Sequence, residues 1–363
     1  MKHYNSYGFP NVVIYFMVYT YKSSIGIGGV LMAKTIILFN HKGGVSKTLT
    51  TYNIAWMLTE KGKRVLLVDC DPQCNLSALL LRDEFDTYYM NESTRNMNIK
   101  DGLRVAFESR PTPIVAIDCF VSQNNQNLIL LPGHMDLSEY EPSLSLAMNN
   151  NNSMTALQNL PGALNELIRL CTERYSVDYV FVDVNPGLSA LNQVAFTSSD
   201  AFIVPTNPDP FSLMALKTLL KVLPRWKNWA DSTRPILSSA SYPIPDAEMK
   251  FLGEINQRFN RRKGKPAASY DAIIDDIKKF VSNDFVRELS RYNMVYPRTD
   301  YHMADIPDFG AMLQKANDSG VPVFELKDSE LPGGASFANT TAKRDEIKQL
   351  FSSIADTILE TIK

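Results

Sequence analysis

The stretch that most constrains this chain is Ile36-Ile37-Leu38-Phe39-Asn40-His41-Lys42-Gly43-Gly44-Val45-Ser46-Lys47-Thr48. A short apolar run stops at a Gly-Gly turn, and Lys47-Thr48 then opens a segment that reads as a helix. Strand, tight loop and helix N-terminus in that order make a phosphate site. Glycines let backbone N–H groups converge on an anion, and the helix dipole adds positive potential there. Lys47 is placed to reach β- and γ-phosphates, and the Thr48 hydroxyl to ligate Mg²⁺. Gly43, Gly44, Val45, Ser46, Lys47, Thr48 and Leu49 are the candidate nucleotide contacts. The plainer alternative is a Gly-Gly turn in a lysine-bearing surface loop.

His41 stands where the first glycine of G-x-x-x-x-G-K-[ST] falls, and Ser46 where the glycine before the lysine falls. What remains is Lys-Gly-Gly-x-x-Lys-Thr with an extra lysine, Lys42, at the front. This is the deviant Walker A pattern, and the chain here resembles the ParA/MinD family of P-loop ATPases, on its ParA-like branch. The resemblance implies ATP and Mg²⁺ as ligands and a homodimer on ATP binding. In such a dimer Lys42 crosses the interface to touch the other subunit's nucleotide. If the position before Lys47 needs positive φ, Ser46 carries strain of order 1 kcal/mol. Leu49 removes a hydroxyl that many relatives offer to the α-phosphate. ATP binding is expected to survive both departures, which bear on the hydrolysis rate.

The segment 64–69, apolar without interruption from Val65 to Val68, reads as a buried parallel strand and ends in Asp69-Cys70-Asp71-Pro72-Gln73-Cys74-Asn75. Carboxylates at the end of a strand beside a phosphate loop are placed to meet Mg²⁺ or its water. By resemblance, Asp71 positions the attacking water and Asp69 supports the loop and the metal shell. An ordinary Asp-Pro turn is the alternative for this run alone. Segment 178–183 has the Walker B form, four apolar residues delivering Asp183 to the metal. Catalytic candidates are therefore Lys42, Lys47 and Asp71, and metal candidates Thr48, Asp69 and Asp183. Asn185 replaces the first proline of the family's Asp-x-Pro-Pro, and 185–188 is expected to sense the γ-phosphate. A strand over 200–205 and a helix from about 208 to 222 follow. The family lines its nucleotide pocket with this part, which makes Pro205 a candidate contact.

The chain has 363 residues, enough for one large α/β domain or two smaller ones, and is 45% hydrophobic and 21% charged. Its formal charge of −2 confines any nucleic-acid surface to a local patch. Cysteines 70, 74, 119 and 171 show no C-x-x-C spacing and read as reduced thiols of a cytoplasmic protein; the family resemblance implies that it is nucleoid-associated when ATP-bound. Residues 1–31 read as an extension dispensable for the fold, and 32–363 as a single domain. The expected fold class is α/β: a P-loop NTPase with a mostly parallel, doubly wound sheet flanked by helices, carrying helical insertions at about 82–126 and 266–320. Further expectations are a strand over 127–133, a helix over 136–148, a mobile loop over 149–153, a helix over 160–175, and a strand between 249 and 259. The segment 292–320 reads as loop-rich and 321–326 as the last, edge strand.

Two stretches bear on partners. Arg258, Arg261, Arg262, Lys263 and Lys265 crowd one short run. It is either a solvated loop or a non-specific DNA patch, and the resemblance favours DNA. The last helix, about 341–362, aligns Ile347, Leu350, Phe351, Ile354, Ile358 and Ile362. Lys343, Arg344, Lys348 and Lys363 are balanced by Asp345, Glu346, Asp356 and Glu360, so it is expected to pack on the sheet and not to bind a membrane. The resulting expectation is a slow, Mg-dependent switch ATPase in plasmid or chromosome partitioning, or in cargo positioning on DNA, with a partner protein that stimulates hydrolysis. The rival classes are a regulatory or anti-phage ATPase acting on a protein effector, and a metabolic reductase or synthetase of the same fold.

Overall fold

The computed structural model describes residues 32–149, 157–259, 261–262, 265–266, 268–331 and 337–362. The expected extension 1–31 and most of the asparagine-rich loop lie outside them. Strand β1 (Lys34–Leu38) leads into the phosphate loop and helix α1 (Lys47–Glu60) leaves it. Strand β2 (Val65–Asp69) is followed by α2 (Asn75–Leu81), α3 (Phe85–Met90) and α4 (Ile99–Phe107). Strands β3 (Phe120–Val121) and β4 (Leu128–Leu131) come next, then α5 (Glu141–Asn149) and α6 (Leu160–Tyr175). The chain continues through β5 (Tyr179–Asp183), α7 (Ala190–Thr197), β6 (Ala201–Thr206) and α8 (Pro210–Thr233). The last part holds β7 (Lys250–Phe259), the short pair β8 (Arg261–Arg262) and β9 (Lys265–Pro266), α9 (Ala268–Phe280) and α10 (Val286–Ser290). It closes with β10 (His302–Pro307), α11 (Ala311–Ser319) and α12 (Phe337–Thr361).

The main sheet has the order β10-β7-β6-β1-β5-β2-β4-β3, parallel throughout except for β3 against β4. The central strands are apolar through their interiors, Ile36–Leu38, Val65–Val68 and Val180–Val182, because both faces are covered. Ile36 and Leu38 pack into one core with α1 and α12, while Ile37 and Phe39 pack into the other with α6 and α8. β1 lies between β5 and β6, so strand order reverses there and the carboxyl ends of β1, β2 and β5 open onto one crevice. Register pairs Asp69 with Asp183, which sets two carboxylates side by side at its floor.

Three expectations are corrected. Segment 321–326 is not a strand: Val323–Glu325 forms a 3₁₀ turn, and its apolar residues are buried beneath α12. The edge strand on this side of the sheet is β10, which pairs parallel with β7, so 266–320 is partly sheet and not wholly a helical, loop-rich insertion. β10 escaped notice because its polar residues are satisfied sideways: Asn256 and Lys278 reach Asp305 at 3.2 and 2.7 Å, and His302 bonds buried Glu254 at 2.8 Å. Finally, α8 runs on through Pro224 to Thr233. The proline forfeits one backbone bond, but burial of Leu223, Trp226 and Ala230 on the same helix outweighs it. Segment 82–126 carries short helices and, near its end, the strand β3 at one edge of the sheet. The isoleucine face of α12 is buried as expected, with Ile347, Ile354 and Ile358 fully so. No helix among the described residues is long and apolar enough to cross a membrane.

Candidate functional site

The phosphate loop is held open from behind. Asn40, fully buried, donates its Nδ2 hydrogen to the Pro205 carbonyl at 2.9 Å, and its Oδ1 accepts the Lys42 backbone N–H at 3.0 Å. The loop is thereby tied to the end of β6. Gly44 takes φ +73°, a conformation open to glycine at no steric penalty. Ser46 takes φ 54° at the N-cap of α1 without a side-chain cap, so the left-handed residue expected before Lys47 is present and strained. Val45 is buried beneath the loop, and Gly43 faces Pro186 of the turn after β5.

Lys47 lies buried over the loop, its Nζ donating to the Asn40 and Lys42 carbonyls at 3.1 and 3.3 Å. Burial lowers its pKa, against the opposing pull of Asp183 and Asp71. Thr48 donates its hydroxyl hydrogen to Asp183 Oδ2 at 2.6 Å. Asp183 is fully buried and its Oδ1 has no partner among the described residues. Burial, followed by repulsion from Asp69, pushes its pKa up to about 8. An uncompensated carboxylate beside a threonine hydroxyl, under a phosphate loop, suits a hard divalent cation. Thr48 and Asp183 are therefore the residues that would hold Mg²⁺, directly or through its water.

Asp69 has a different position from the one its place in the motif suggests. Its Oδ2 accepts the Ser77 backbone N–H at 2.8 Å and the Ser77 hydroxyl at 2.7 Å, and Oδ1 accepts the Asp71 N–H at 3.2 Å. It anchors the start of α2. Burial raises its pKa to about 6, with the Ser77 bonds opposing. Gly133 at the end of β4 leaves room for this carboxylate, since a Cβ there would lie 3.0 Å from Asp69 Cγ. Asp71 is buried at the crevice, with Oδ1 accepting from the Gln73 N–H at 2.9 Å.

Other partners had no sequence signature. Asn192 on α7 fixes the turn after β5, its Nδ2 donating to the Asn185 and Gly187 carbonyls at 3.0 and 3.2 Å. Asn207 Nδ2 donates to the Gly44 carbonyl at 3.0 Å. Pro205, proposed from the motif, is buried within β6 and meets the loop through its carbonyl. Leu49 instead lines a narrow cleft beside the loop, with Ser46, Asn53, Gln257, Pro307 and Phe309. Buried polar atoms without partners among the described residues gather in this region: His41 Nδ1, Ser46 Oγ, Asn185 Oδ1 and Asn207 Oδ1, besides Asp183 Oδ1. Such groups are costly in a dry interior and mark a place for water or ligand.

The basic run lies elsewhere. Arg258 is the last residue but one of β7, Arg261 and Arg262 form β8, and Lys265 begins β9, while Lys263 falls outside the described residues. All four cysteines are buried and free, so none offers an exposed thiol for a cluster shared between subunits.

A doubly wound sheet with this loop at its switch point, Lys47 over it and a strand-end carboxylate bonded to Thr48, defines a P-loop nucleotide-binding protein. Residues 33–235 match the AAA domain family, and the chain belongs to it, as a ParA/MinD-like P-loop ATPase. It is 29% identical over 277 residues to the chromosome partitioning protein ParA of Caulobacter vibrioides, covering 76% of this chain and 85% of that one. An uncharacterised protein of Mycobacterium tuberculosis is 35% identical over 188 residues, 52% of this chain; the chain spans about half (51%) of that relative's length. The ATP complex of Cyanothece McdA shares the fold, with TM-score 0.55 at 15% identity, covering 88% of this chain and 96% of that one.

Proposed function

We propose that this chain is a Mg²⁺-dependent switch ATPase that binds ATP, closes as a homodimer with Lys42 reaching the partner's nucleotide, and reopens after slow hydrolysis. The observation that carries the reading is the Thr48–Asp183 contact with its unsatisfied Asp183 Oδ1, set under a glycine loop that Lys47 overhangs. Lys47 exchanges its two carbonyl partners for phosphate oxygens, and the N–H groups of 43–49 cradle them. Bound Mg²⁺ supplies neutralisation of phosphate charge. Asp71, rigid at its Asp-Pro turn, orients the attacking water, and Asp69 keeps that turn in place through Ser77. Positioning and charge, not covalent chemistry, are what these residues provide.

The output we propose is DNA partition or cargo positioning on DNA, with non-specific DNA and a hydrolysis-stimulating protein as partners. Support comes from the relationship to a chromosome partitioning ParA and from the basic hairpin after β7. The test is co-sedimentation with non-specific DNA under ATP, ADP and no nucleotide. Retention in ATP alone is expected; retention in none of the three removes the DNA role and favours a protein effector.

A further inference from the structure

Lys42 is already engaged within its own subunit. Its ammonium bonds the Asp209 carboxylate and lies 3.3 Å from Ser212 Oγ, both at the start of α8. Asp209 serves two groups with its two oxygens. Oδ1 accepts the Ser212 N–H at 2.9 Å as the N-cap of α8, and Oδ2 takes the lysine. The same segment is fastened to the loop a second time, by Asn207 on the Gly44 carbonyl and by the Asn207 N–H on Ser212 Oγ at 3.0 Å. The cap needs an acceptor, not a charge, because asparagine and serine cap helices about as well as aspartate. The ion pair is therefore separable from the fold of α8.

A lysine stem that reaches Asp209 in its own subunit does not at the same time extend to a nucleotide in another. We propose that Asp209 is a positioning residue that stows Lys42 in cis, so that ATP-driven association must first open this ion pair. The inference rests on the reading that Lys42 acts across a dimer. The two side chains are 20% and 32% exposed, so solvent screens the pair and its effect is moderate. Two such pairs open in each dimer, and the effect enters twice. The stowed arrangement makes Asp209 and Ser212 a threshold on association, set by residues outside the phosphate-loop motif.

The test uses the full chain with Asp209→Asn and, as a second uncharged cap, Asp209→Ser. Two quantities are measured: the acetylation rate of Lys42 without nucleotide, read by mass spectrometry against exposed Lys221, and the protein concentration for half-maximal association in Mg²⁺ and ATP, by sedimentation velocity. Both variants are expected to speed Lys42 labelling relative to Lys221 and to lower the association midpoint about three- to tenfold. A midpoint that is unchanged or raised, or a shift in only one folded variant, overturns the proposal whatever the labelling shows. Lys42→Ala separates the two readings: if it abolishes association while Asp209→Asn changes nothing, only the stowing is wrong. If Lys42→Ala associates like wild type, the reading of Lys42 across a dimer fails, and the stowing with it.

Discussion

Thr48 and Asp183 are joined by a 2.6 Å hydrogen bond that links the first turn of α1 to the end of β5. The bond leaves Asp183 Oδ1 buried and without a partner among the described residues. Stability and function therefore pull on this carboxylate in opposite directions.

Asp183→Asn keeps an acceptor for Thr48 but removes the buried charge. The pKa of Asp183 is raised to about 8, so the folded state binds its proton more tightly than the unfolded chain does. Stability of the metal-free protein then falls as pH rises from about 4 through 8. Asp183→Asn should abolish that fall and be more stable than wild type at pH 8 by thermal unfolding, while ATP turnover drops about 100-fold. A variant less stable than wild type at pH 8 would speak against the bare-carboxylate assignment.

Ser46 holds φ 54° and its Oγ has no partner among the described residues. Ser46→Gly relieves the left-handed strain and loses no hydrogen bond, but gives the unfolded chain more freedom. The net gain in denaturant unfolding should be about 0.5–1 kcal/mol. A loss would show that the serine is not strained.

His302 sits between Glu254 and Asp305 at 2.8 and 3.3 Å. Burial lowers its pKa, but the bonds to Asp305 and Glu254 outweigh this and hold it at about 9. The charged imidazole stabilises the fold fully below about pH 6.5 and loses its contribution as pH rises through 9. His302→Gln should remove a fall in stability of order 2 kcal/mol between pH 6.5 and 9.5, seen in urea titrations. An identical pH profile in the variant would contradict the assignment.

Replacing Arg261, Arg262 and Lys263 together by alanine should abolish ATP-dependent DNA retention and leave ATP affinity intact. Unchanged retention would move the DNA surface away from the hairpin at β8 and β9.

What could be read from the chain was what repeats locally. The loop 36–48, the strand ending at Asp69 and the strand ending at Asp183 are contiguous patterns, and the structure gathers these three segments at one switch point. What escaped was settled by partners distant in sequence. Asn40 matters through Pro205, Asp69 through Ser77, Lys42 through Asp209 and β10 through Glu254, and no local pattern announces such pairs. The apolar run 321–326 misled for the same reason, since apolar residues fill a core beside a helix as well as within a sheet.

The most direct measurement is calorimetric titration of ATP with Mg²⁺ into the wild-type chain and into Lys47→Ala under non-hydrolysing conditions. Saturable binding by the wild type, weakened at least about tenfold in Lys47→Ala, is the expected result. Absence of binding to the wild type, or equal binding by both, would contradict a phosphate site built on Lys47, Thr48 and Asp183.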